Sequence, residues 1–421
     1  MRQQTLQAVL FQAASLELSK PDQSPAIPEG SEAAAQETAA IRSRVFSRVG
    51  LLGNPSDGFG GRCISFSLAN FSAEVALVPS DVIRFLANPE GDPETFDNLG
   101  ILTQHLRGCG YYGGIRILMA MCKRFFEYCQ DKEIALDSKN FALSYTTSIP
   151  RQSGLSGSSA IALAALNCLM RYYQVEGSIP VAERPGLVLS AEQELGITAG
   201  LQDRVIQVYG GLLLMDFDPG YMAEHGHARL ASLDPGLLPP LFIIYPQGQP
   251  GKDSGTVHSY VKERWLAGDP SVRAGMAQVA ALVEPGWEAL LKRDYHQLAS
   301  LMRLNFRLRR QLYGDAVLGP SSLKMVQPIK EADDLVLVAE AAQTKLGVVL
   351  GALETNPACD PDRREVAESV GAAAKLTGSG GAVVVVCPEG HAQELRLAEA
   401  CSKEGLACVK AEVGPVNVVA A

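Results

Sequence analysis

The chain has 421 residues, of which 47% are hydrophobic and 20% are charged. This composition excludes a chain dominated by disorder, and the length exceeds the size at which one core usually stops growing, so we expect two domains. The formal net charge of -9 argues against broad nucleic-acid binding, which requires a basic face. We expect no membrane span, because apolar runs such as LFIIY and AVVVVC have strand length and no stretch of about 18 uncharged apolar residues occurs.

The first 45 residues are predicted to be a flexible leader. They include the run QSPAIPEGSEAAAQETAA, which is rich in Ala, Gln, Ser and Glu. The opening 20 residues are short of acids and resemble part of a transit peptide, but arginine is scarce and Glu17 breaks the pattern. The nine cysteines form no CxxC pair, and Cys122, Cys129 and Cys168 fall in apolar helical patterns, which is typical of reduced, buried thiols. We therefore favour a cytoplasmic protein over an organellar one.

Apolar periodicity and turn residues predict the elements that follow. In chain order these are strands at about 46–78, a helix at about 113–130, the strand FALSYTT, a helix after residue 157, a helix at about 185–195, the strand VYGGLLLMDF, a proline-rich domain boundary at residues 232–240, the strand LFIIY, helices near 255–267, 271–292 and 294–313, and a final stretch that ends at Val409. The sequence therefore predicts two mixed domains, at 46–235 and 240–421.

The glycine- and serine-rich stretch PRQSGLSGSSA, residues 150–160, leads directly into an apolar helix. Gly154 and Gly157 allow a sharp turn and a close approach to a ligand, and the amides near Ser158 and Ser159 lack helical partners. With the helix dipole behind them, such amides favour an anion. An ordinary capped loop is the alternative. The stretch is not a Walker A motif, because the one Gly-Lys pair, at residues 251–252, is followed by Asp253.

Two further glycine-rich turns lie next to buried elements, in SRVGLLGNPSDGFGG near the start and in KLTGSGGAVVVVC near the end. An early turn, a central GLSGSSA loop and a late turn in this order resemble the GHMP small-molecule kinases. The blocks NPSDGFGGRCISFSLANF, YYGGIRIL, IPRQSGLSGSSAI, LVLSAEQELGITAGLQDRVIQVYGG, DSGTVHS and LNFRLRRQLYGD are similar to the glucuronokinase branch of that family. Six ordered blocks are far more specific than one glycine loop.

The resemblance implies an α+β fold of two domains, one like domain 2 of ribosomal protein S5 and one ferredoxin-like, with the site between them. Residues 328–364 look like an insertion. The implied activity is transfer of the γ-phosphoryl group of ATP to the anomeric hydroxyl of D-glucuronate, a step of nucleotide-sugar synthesis. The alternatives are a kinase for galacturonate or galactose, and a sugar and nucleotide sensor without catalysis. The expected ligands are a small sugar acid, ATP and Mg²⁺, with no nucleic acid and no membrane.

The resemblance also assigns catalytic and metal-binding residues. Asp203 matches the catalytic aspartate of the family, and Arg48 matches its basic partner, which keeps the carboxylate ionised. Ser159, or its neighbour Ser158, and Glu192 match the Mg²⁺ ligands, with Glu194 as the second choice for the carboxylate. Without the resemblance, Asp203 would be an ordinary aspartate at a helix start, and either glutamate a solvated surface residue.

For the sugar, Asp57 matches the family residue that accepts hydrogen bonds from ring hydroxyls, although an Asx turn would also explain it. Asn54 and Pro55 replace a family Glu-His pair, which weakens a galactokinase interpretation. A uronic acid carries a carboxylate that a guanidinium can bind with two parallel hydrogen bonds. The candidates for that contact are Arg62, Arg116, Arg151 and Arg204. Tyr111 and Tyr112 would pack against the sugar ring or belong to the core.

The ATP-binding set follows from the central loop and the late turn of residues 377–382. Its members are Pro150, Gly154, Leu155, Ser156, Gly157, Ser158, Ser159, Ala160, Gly378 and Gly380. A plain β-turn is the alternative for the late turn. His258, in DSGTVHS, is assigned no role, because the six histidines show no metal-ligand spacing.

Overall fold

Two sheets and the helices that cover them make up the part of the chain that the structure describes. The computed structural model describes residues 40–90, 92–109, 113–247, 254–318, 320–326 and 371–418. Residues 1–39 of the predicted leader lie outside these ranges, as do the predicted insertion at 328–364 and both Tyr111 and Tyr112. The described residues from 41 onward belong to one compact unit.

The elements are numbered in chain order. The strands are β1 (Ile41–Leu52), β2 (Arg62–Ser80), β3 (Arg84–Phe85), β4 (Asn140–Thr147), β5 (Leu212–Asp216), β6 (Arg229–Leu233), β7 (Leu241–Pro246), β8 (Ala373–Leu376), β9 (Val383–Val386) and β10 (Leu406–Lys410). The α-helices are α1 (Leu99–Cys109), α2 (Gly114–Asp131), α3 (Gly157–Tyr172), α4 (Arg184–Glu194), α5 (Gln202–Tyr209), α6 (Pro219–His225), α7 (Ser254–Leu266), α8 (Pro270–Ala281), α9 (Val283–Lys292), α10 (Tyr295–Tyr313), α11 (Asp315–Leu318), α12 (Pro320–Val326) and α13 (His391–Lys403). Short 3₁₀ turns occur at Ser56–Phe59, Glu176–Ser178, Val181–Glu183 and Pro235–Leu237.

The first sheet is built around the long strand β2. It pairs antiparallel with β1 along most of its length, with β4 near its C-terminal end and with β5 near its start. The strand β1 begins at Ile41, earlier than the predicted end of the leader at residue 45. Alternation explains the early start: Val45 is buried, whereas Arg44 points outward and pairs with Glu74 on β2 at 3.0 Å.

The second sheet has the strand order β10-β7-β9-β8 and is antiparallel throughout. With α7–α12 between β7 and β8, and α13 between β9 and β10, this is the β-α-β-β-α-β arrangement of a ferredoxin-like unit. Alternate residues of β7 enter different hydrophobic clusters, Ile243 in one and Ile244 in the other, so both faces of the sheet are buried. The predicted α+β class is confirmed.

Two predicted elements need correction. The single helix expected at 271–292 is two helices, α8 and α9, which meet at Leu282. Pro285 explains the break, since its ring would clash with the carbonyl of residue 281 in a continuous helix. The predicted strand VYGGLLLMDF begins with the last turn of helix α5, and the chain turns at Gly210 and Gly211, where φ is +74° and +65°, before β5 starts.

The chain returns to the first sheet after β10. The amide of Ala69 donates to the carbonyl of Glu412 at 2.7 Å, and the amide of Gly211 donates to that of Pro415 at 3.0 Å. The proposed division at residues 232–240 falls on the Pro235–Leu237 turn between the two sheets and stays a prediction.

Cys122, Cys129 and Cys168 are free thiols. None of the described helices combines the length and the apolar content that crossing a bilayer needs.

Candidate active site

The predicted phosphate loop, residues 150–160, lies in a cleft of about 290 Å³. Strand β4 delivers the chain into the loop, and helix α3 begins inside it at Gly157. The early glycine-rich turn, in SRVGLLGNPSDGFGG, contributes Asp57 and its neighbours to the lining, and the late turn contributes Gly378 and Ser379. The cleft therefore brings together the three glycine-rich turns that are far apart in the sequence.

The phosphate loop and the late turn are in direct backbone contact. Gly154 has φ +67°, and a Cβ atom there would lie 2.5 Å from the carbonyl oxygen of Gly380. A Cβ atom at Gly378 would lie 2.3 Å from the carbonyl oxygen of Gly154. The Thr377 hydroxyl donates to that same oxygen at 3.2 Å. Only glycine allows the two turns to approach this closely.

Asp203 and Arg48 form a two-pronged ion pair in the cleft. Arg48 on β1 donates from Nε to Oδ1 at 2.6 Å and from Nη2 to Oδ2 at 2.8 Å, and Asp203 is the second residue of helix α5. Arg48 is buried and also donates from Nη1 to the Gly154 carbonyl at 2.5 Å. Burial alone would raise the pKa of Asp203, but the charges of Arg48 and Arg204 and the hydrogen bonds hold that pKa well below its usual range.

Ser156 connects the phosphate loop to this ion pair. It is a non-glycine residue with φ +64°, and its hydroxyl donates to Asp203 Oδ2 at 2.6 Å. A carboxylate offers about four acceptor positions. The described residues use three of them, two on Oδ2 and one on Oδ1. One position on Oδ1 is left for a hydroxyl in the cleft. Sequence reasoning assigned Ser156 to ATP and missed this second contact.

Glu192 belongs to helix α4, and its side chain reaches the first residues of helix α3, where the metal site is predicted. Its carboxylate is fully buried, and its Oε1 accepts hydrogen bonds from the hydroxyls of Ser158 and Ser159, the latter at 3.3 Å. Its Oε2 accepts two hydrogen bonds from the buried Arg204, with Nε at 2.6 Å. The second choice, Glu194, does not line the cleft and pairs with Lys123 on helix α2.

Among the described residues, no cluster of three or more His, Cys, Asp and Glu side chains could hold a metal ion by itself. The donors present are one carboxylate oxygen and two hydroxyl oxygens, next to a predicted phosphate site. Mg²⁺ prefers oxygen ligands, keeps several waters and usually takes only one or two carboxylates from the protein. This donor set fits a magnesium ion that is shared with a nucleotide.

Asp57, predicted to bind the sugar, lies against the segment that precedes Asp203. Its Oδ2 accepts a hydrogen bond from the amide of Gln202 at 3.2 Å, and a Cβ atom at Gly200 would collide with its carboxylate. Burial, and next the negative charge of Asp203, raise the pKa of Asp57 to about 6 against the opposing effects of the Gln202 amide and two arginines. The early turn therefore presents Asp57 as a carboxylate whose raised pKa is about 6.

The four candidate arginines separate into two pairs. Arg151 and Arg204 line the cleft, but Arg204 is engaged by Glu192. Arg62 and Arg116 do not line it. Arg62 stands at the start of β2, where its Nε lies 3.1 Å from Asp216. The structure thus does not bring Arg62 and Arg116 to the predicted sugar site.

Most of the predicted ATP-binding residues line the cleft. These are Pro150, Gly154, Leu155, Ser156, Gly157, Ser158, Ser159 and Gly378. Ala160 and Gly380 do not. Ala160 is fully buried, and its amide already donates to the Ser156 carbonyl at 3.1 Å, so it is not available to a phosphate.

Three basic residues of the site were missed from the sequence. Lys375 is buried beneath the first turn and donates to the Gly50 carbonyl at 2.8 Å and to Asn54 Oδ1 at 2.6 Å. Lys262 and Arg309 line the cleft from helices α7 and α10. All three lie in or beside the motifs KLTGSGGAVVVVC, DSGTVHS and LNFRLRRQLYGD. A basic residue at an apolar position of a helix or strand is the signal that could have identified them.

Comparison with known proteins agrees with this geometry. The family model for the GHMP kinases N-terminal domain matches residues 116–211. "Glucuronokinase 1" of Arabidopsis thaliana is 47% identical over 380 residues, which cover 90% of this chain and 94% of that protein. "Probable glucuronokinase 2" of Arabidopsis thaliana is 46% identical over 385 residues, covering 91% and 93%. The crystal structure of mevalonate kinase from Methanococcus jannaschii superposes with a TM-score of 0.57 at 16% identity, covering 89% of this chain and 98% of that one.

The fold is shared with that mevalonate kinase, and the GHMP family-model match at residues 116–211 includes the phosphate loop and Asp203. The sequence match extends over nine-tenths of the chain and is more specific than the fold. The chain belongs to the glucuronokinase family within the GHMP kinases, and it is an ATP-dependent kinase.

Proposed function

We propose that the chain transfers the γ-phosphoryl group of ATP to the anomeric hydroxyl of D-glucuronate and releases glucuronate 1-phosphate and ADP. The observation that carries this proposal is the hydrogen-bonding of the Asp203 carboxylate. Its carboxylate is oriented by Arg48 and Ser156, next to the phosphate loop, with one acceptor position on Oδ1 unused by the described residues. A sugar hydroxyl that donates to this position would face the phosphoryl group held by the loop.

The loop supplies the phosphate site. The amides of Gly157, Ser158 and Ser159 belong to the first turn of helix α3 and have no helical acceptor behind them. The positive end of the helix favours an anion at that point. Gly157 lines the cleft, and a Cβ atom there would make only an ordinary contact of 3.5 Å, with the side chain of Ile149.

The transfer itself needs positioning more than it needs a strong base. The bond from the sugar oxygen to the γ-phosphorus forms while the bond from that phosphorus to the bridging oxygen of ADP breaks. Asp203 first holds the hydroxyl in line and accepts its proton late, since a carboxylate with a low pKa is a weak base. Arg48 keeps the carboxylate ionised until the proton arrives, and the proton then passes from Asp203 to solvent.

Magnesium would be held by Glu192 Oε1 together with the hydroxyl of Ser159 or Ser158, which are the oxygen donors at the start of helix α3. When bound, the ion neutralises charge on the phosphates. Arg204 orients Glu192 by bonding to its other oxygen.

Asp57 is the residue we expect to bind the ring hydroxyls, because it lines the same cleft beside the Asp203 segment. The substrate is inferred from the two Arabidopsis relatives named as glucuronokinases. The cytoplasmic location stays a prediction from the sequence.

The test is a panel of sugars with ATP and Mg²⁺, scored by ADP release. D-glucuronate, D-galacturonate, D-galactose and D-glucose should be compared at equal concentrations, with the Asp203→Asn variant as the inactive control. We expect the highest kcat/KM with glucuronate. A preference for galacturonate or galactose would assign the other sugar. Binding of ATP and glucuronate without ADP release would identify a sensor.

A further inference from the structure

Arg309 is a buried cation of the cleft whose hydrogen-bonding groups are mostly unused. It extends from helix α10, is 1% exposed and lines the cleft. Its Nη2 donates to the carbonyl of Ser379 in the late turn at 3.2 Å, and its guanidinium carbon lies 5.3 Å from the centre of the Tyr313 ring. Neither Nε nor Nη1 has a hydrogen-bond partner among the described residues. Burying donors without a partner is costly, so the arrangement indicates a missing acceptor.

The geometry of the guanidinium indicates that the missing acceptor is a planar oxyanion. The group has two edges that can bind a carboxylate with two parallel hydrogen bonds, Nε with Nη2 and Nη1 with Nη2. Ser379 takes only one hydrogen of Nη2. Whichever hydrogen it takes, the other edge keeps both of its donors. Arg309 can therefore bind a planar oxyanion in the two-pronged way without losing its bond to the late turn.

The charges of the neighbouring residues show that this acceptor is not supplied from within the described chain. Arg48 is paired with Asp203, and Arg204 with Glu192. In the part of the chain that the structure describes, no carboxylate lies within ion-pairing distance of Arg309. Burial, then the nearby positive charge of Arg48, lower its pKa, partly offset by Tyr313 and Asp57. An anionic ligand would offset both the cost of burying the guanidinium charge and its repulsion by Arg48.

The position of Arg309 favours the sugar over the nucleotide. Asp57, the residue expected to bind ring hydroxyls, lines the same cleft as Arg309. A uronic acid carries hydroxyls and a carboxylate on one ring, so it suits an acidic and a basic side chain placed side by side. We propose that Arg309 binds the carboxylate of the sugar acid and is the residue that distinguishes a uronic acid from a neutral sugar. This inference rests on the proposed function and adds the residue that determines specificity.

The experiment compares Arg309→Met and Arg309→Lys with the wild-type protein, using D-glucuronate and its neutral amide, D-glucuronamide. Arg310→Gln is the matched control, because Arg310 is the next residue of the same helix and pairs with Asp315 outside the cleft. The measurements are the KM values for glucuronate and for ATP, and the inhibition constant of glucuronamide as a competitor of glucuronate. Thermal melting reports whether each variant is folded.

For Arg309→Met we expect a roughly 10- to 100-fold higher KM for glucuronate, which is the loss expected for hydrogen bonds to a charged group. The glucuronamide constant and the KM for ATP should move less than about threefold. Arg309→Lys keeps the charge but not the planar edge, so its KM for glucuronate should lie between those of the wild type and Arg309→Met. Arg310→Gln should match the wild type.

Equal losses with glucuronate and glucuronamide, or a rise in the KM for ATP in place of that for glucuronate, would overturn the inference. If the Arg309 variants do not fold, the wild-type protein still decides, since it must bind glucuronate at least about 10-fold more tightly than glucuronamide. A wild-type protein that phosphorylates no uronic acid would refute the proposed function itself, and that result is distinct from a change confined to the Arg309 variants.

Discussion

The substitution Asp203→Asn tests the role of the carboxylate most sharply. In the wild-type protein this side chain accepts two hydrogen bonds from Arg48 and one from Ser156. Asparagine has nearly the same shape but keeps only one oxygen acceptor and carries no charge. The sugar hydroxyl would lose the anionic acceptor that orients it and takes its proton.

The structure allows the size of both effects to be worked out. Removing one partner of a buried ion pair costs about 3–5 kcal/mol of stability. Arg48 still has the Gly154 and Thr377 carbonyls as acceptors, at 2.5 and 3.3 Å, so we expect about 2–3 kcal/mol and a protein that remains folded. Loss of acid-base assistance should lower kcat by roughly 100- to 10,000-fold. That loss corresponds to roughly 3–5 kcal/mol of activation free energy.

The assay is ADP release at saturating ATP and glucuronate, together with a thermal melt and nucleotide binding. Asp216→Asn is the matched control, because Asp216 is also buried and bonded to two arginines, Arg62 at 3.1 Å and Arg229 at 3.3 Å, but does not line the cleft. It should lose stability and keep its kcat. A folded Asp203→Asn protein that retains kcat within about tenfold of the wild type would show that Asp203 is not the catalytic carboxylate.

Three further predictions concern the rest of the cleft. Because the raised pKa of Asp57 is about 6, kcat/KM for the sugar should rise with pH through that value as the carboxylate forms, and a pH profile of Asp57→Asn should lack this limb. Glu192→Gln removes the nearer carboxylate partner of the buried Arg204, which keeps only Asp203 at 3.7 Å. Thermal melts should therefore show a loss of about 3–5 kcal/mol, and Mg²⁺ titrations of activity should show a higher Mg²⁺ requirement. Gly378→Ala places a Cβ atom 2.3 Å from the Gly154 carbonyl, so it should cost about 1–3 kcal/mol and weaken ATP binding measured by calorimetry.

Much of the fold could be predicted because its elements have strong local signals. The strand FALSYTT, which became β4, and the helix α2 were found by their apolar patterns with bounds within one or two residues. The early start of β1 was missed because Arg42 and Arg44 looked like a polar leader. Only the partner strand explains them, since both lie beside Glu74. Pairing between distant strands cannot be read from local composition.

The candidate site was predictable where a motif carried it. The meeting of Arg48 with Asp203 follows from a family resemblance and not from any local pattern, as the two residues are 155 positions apart. Arg309 was missed because neither the family resemblance nor a local pattern singles it out. It is one of several arginines in LNFRLRRQLYGD, and sequence alone does not show which of them is turned into the cleft and buried.

The central claim is that this cleft places the anomeric hydroxyl of glucuronate in line with the γ-phosphoryl group of ATP. The most direct measurement is phosphorus NMR of the product formed by the wild-type protein from ATP and D-glucuronate. We predict one new phosphate monoester, equal in amount to the ADP formed, whose phosphorus couples to the anomeric proton at C1. A product phosphorylated at any other carbon, or ADP formed without a sugar phosphate, would contradict the account.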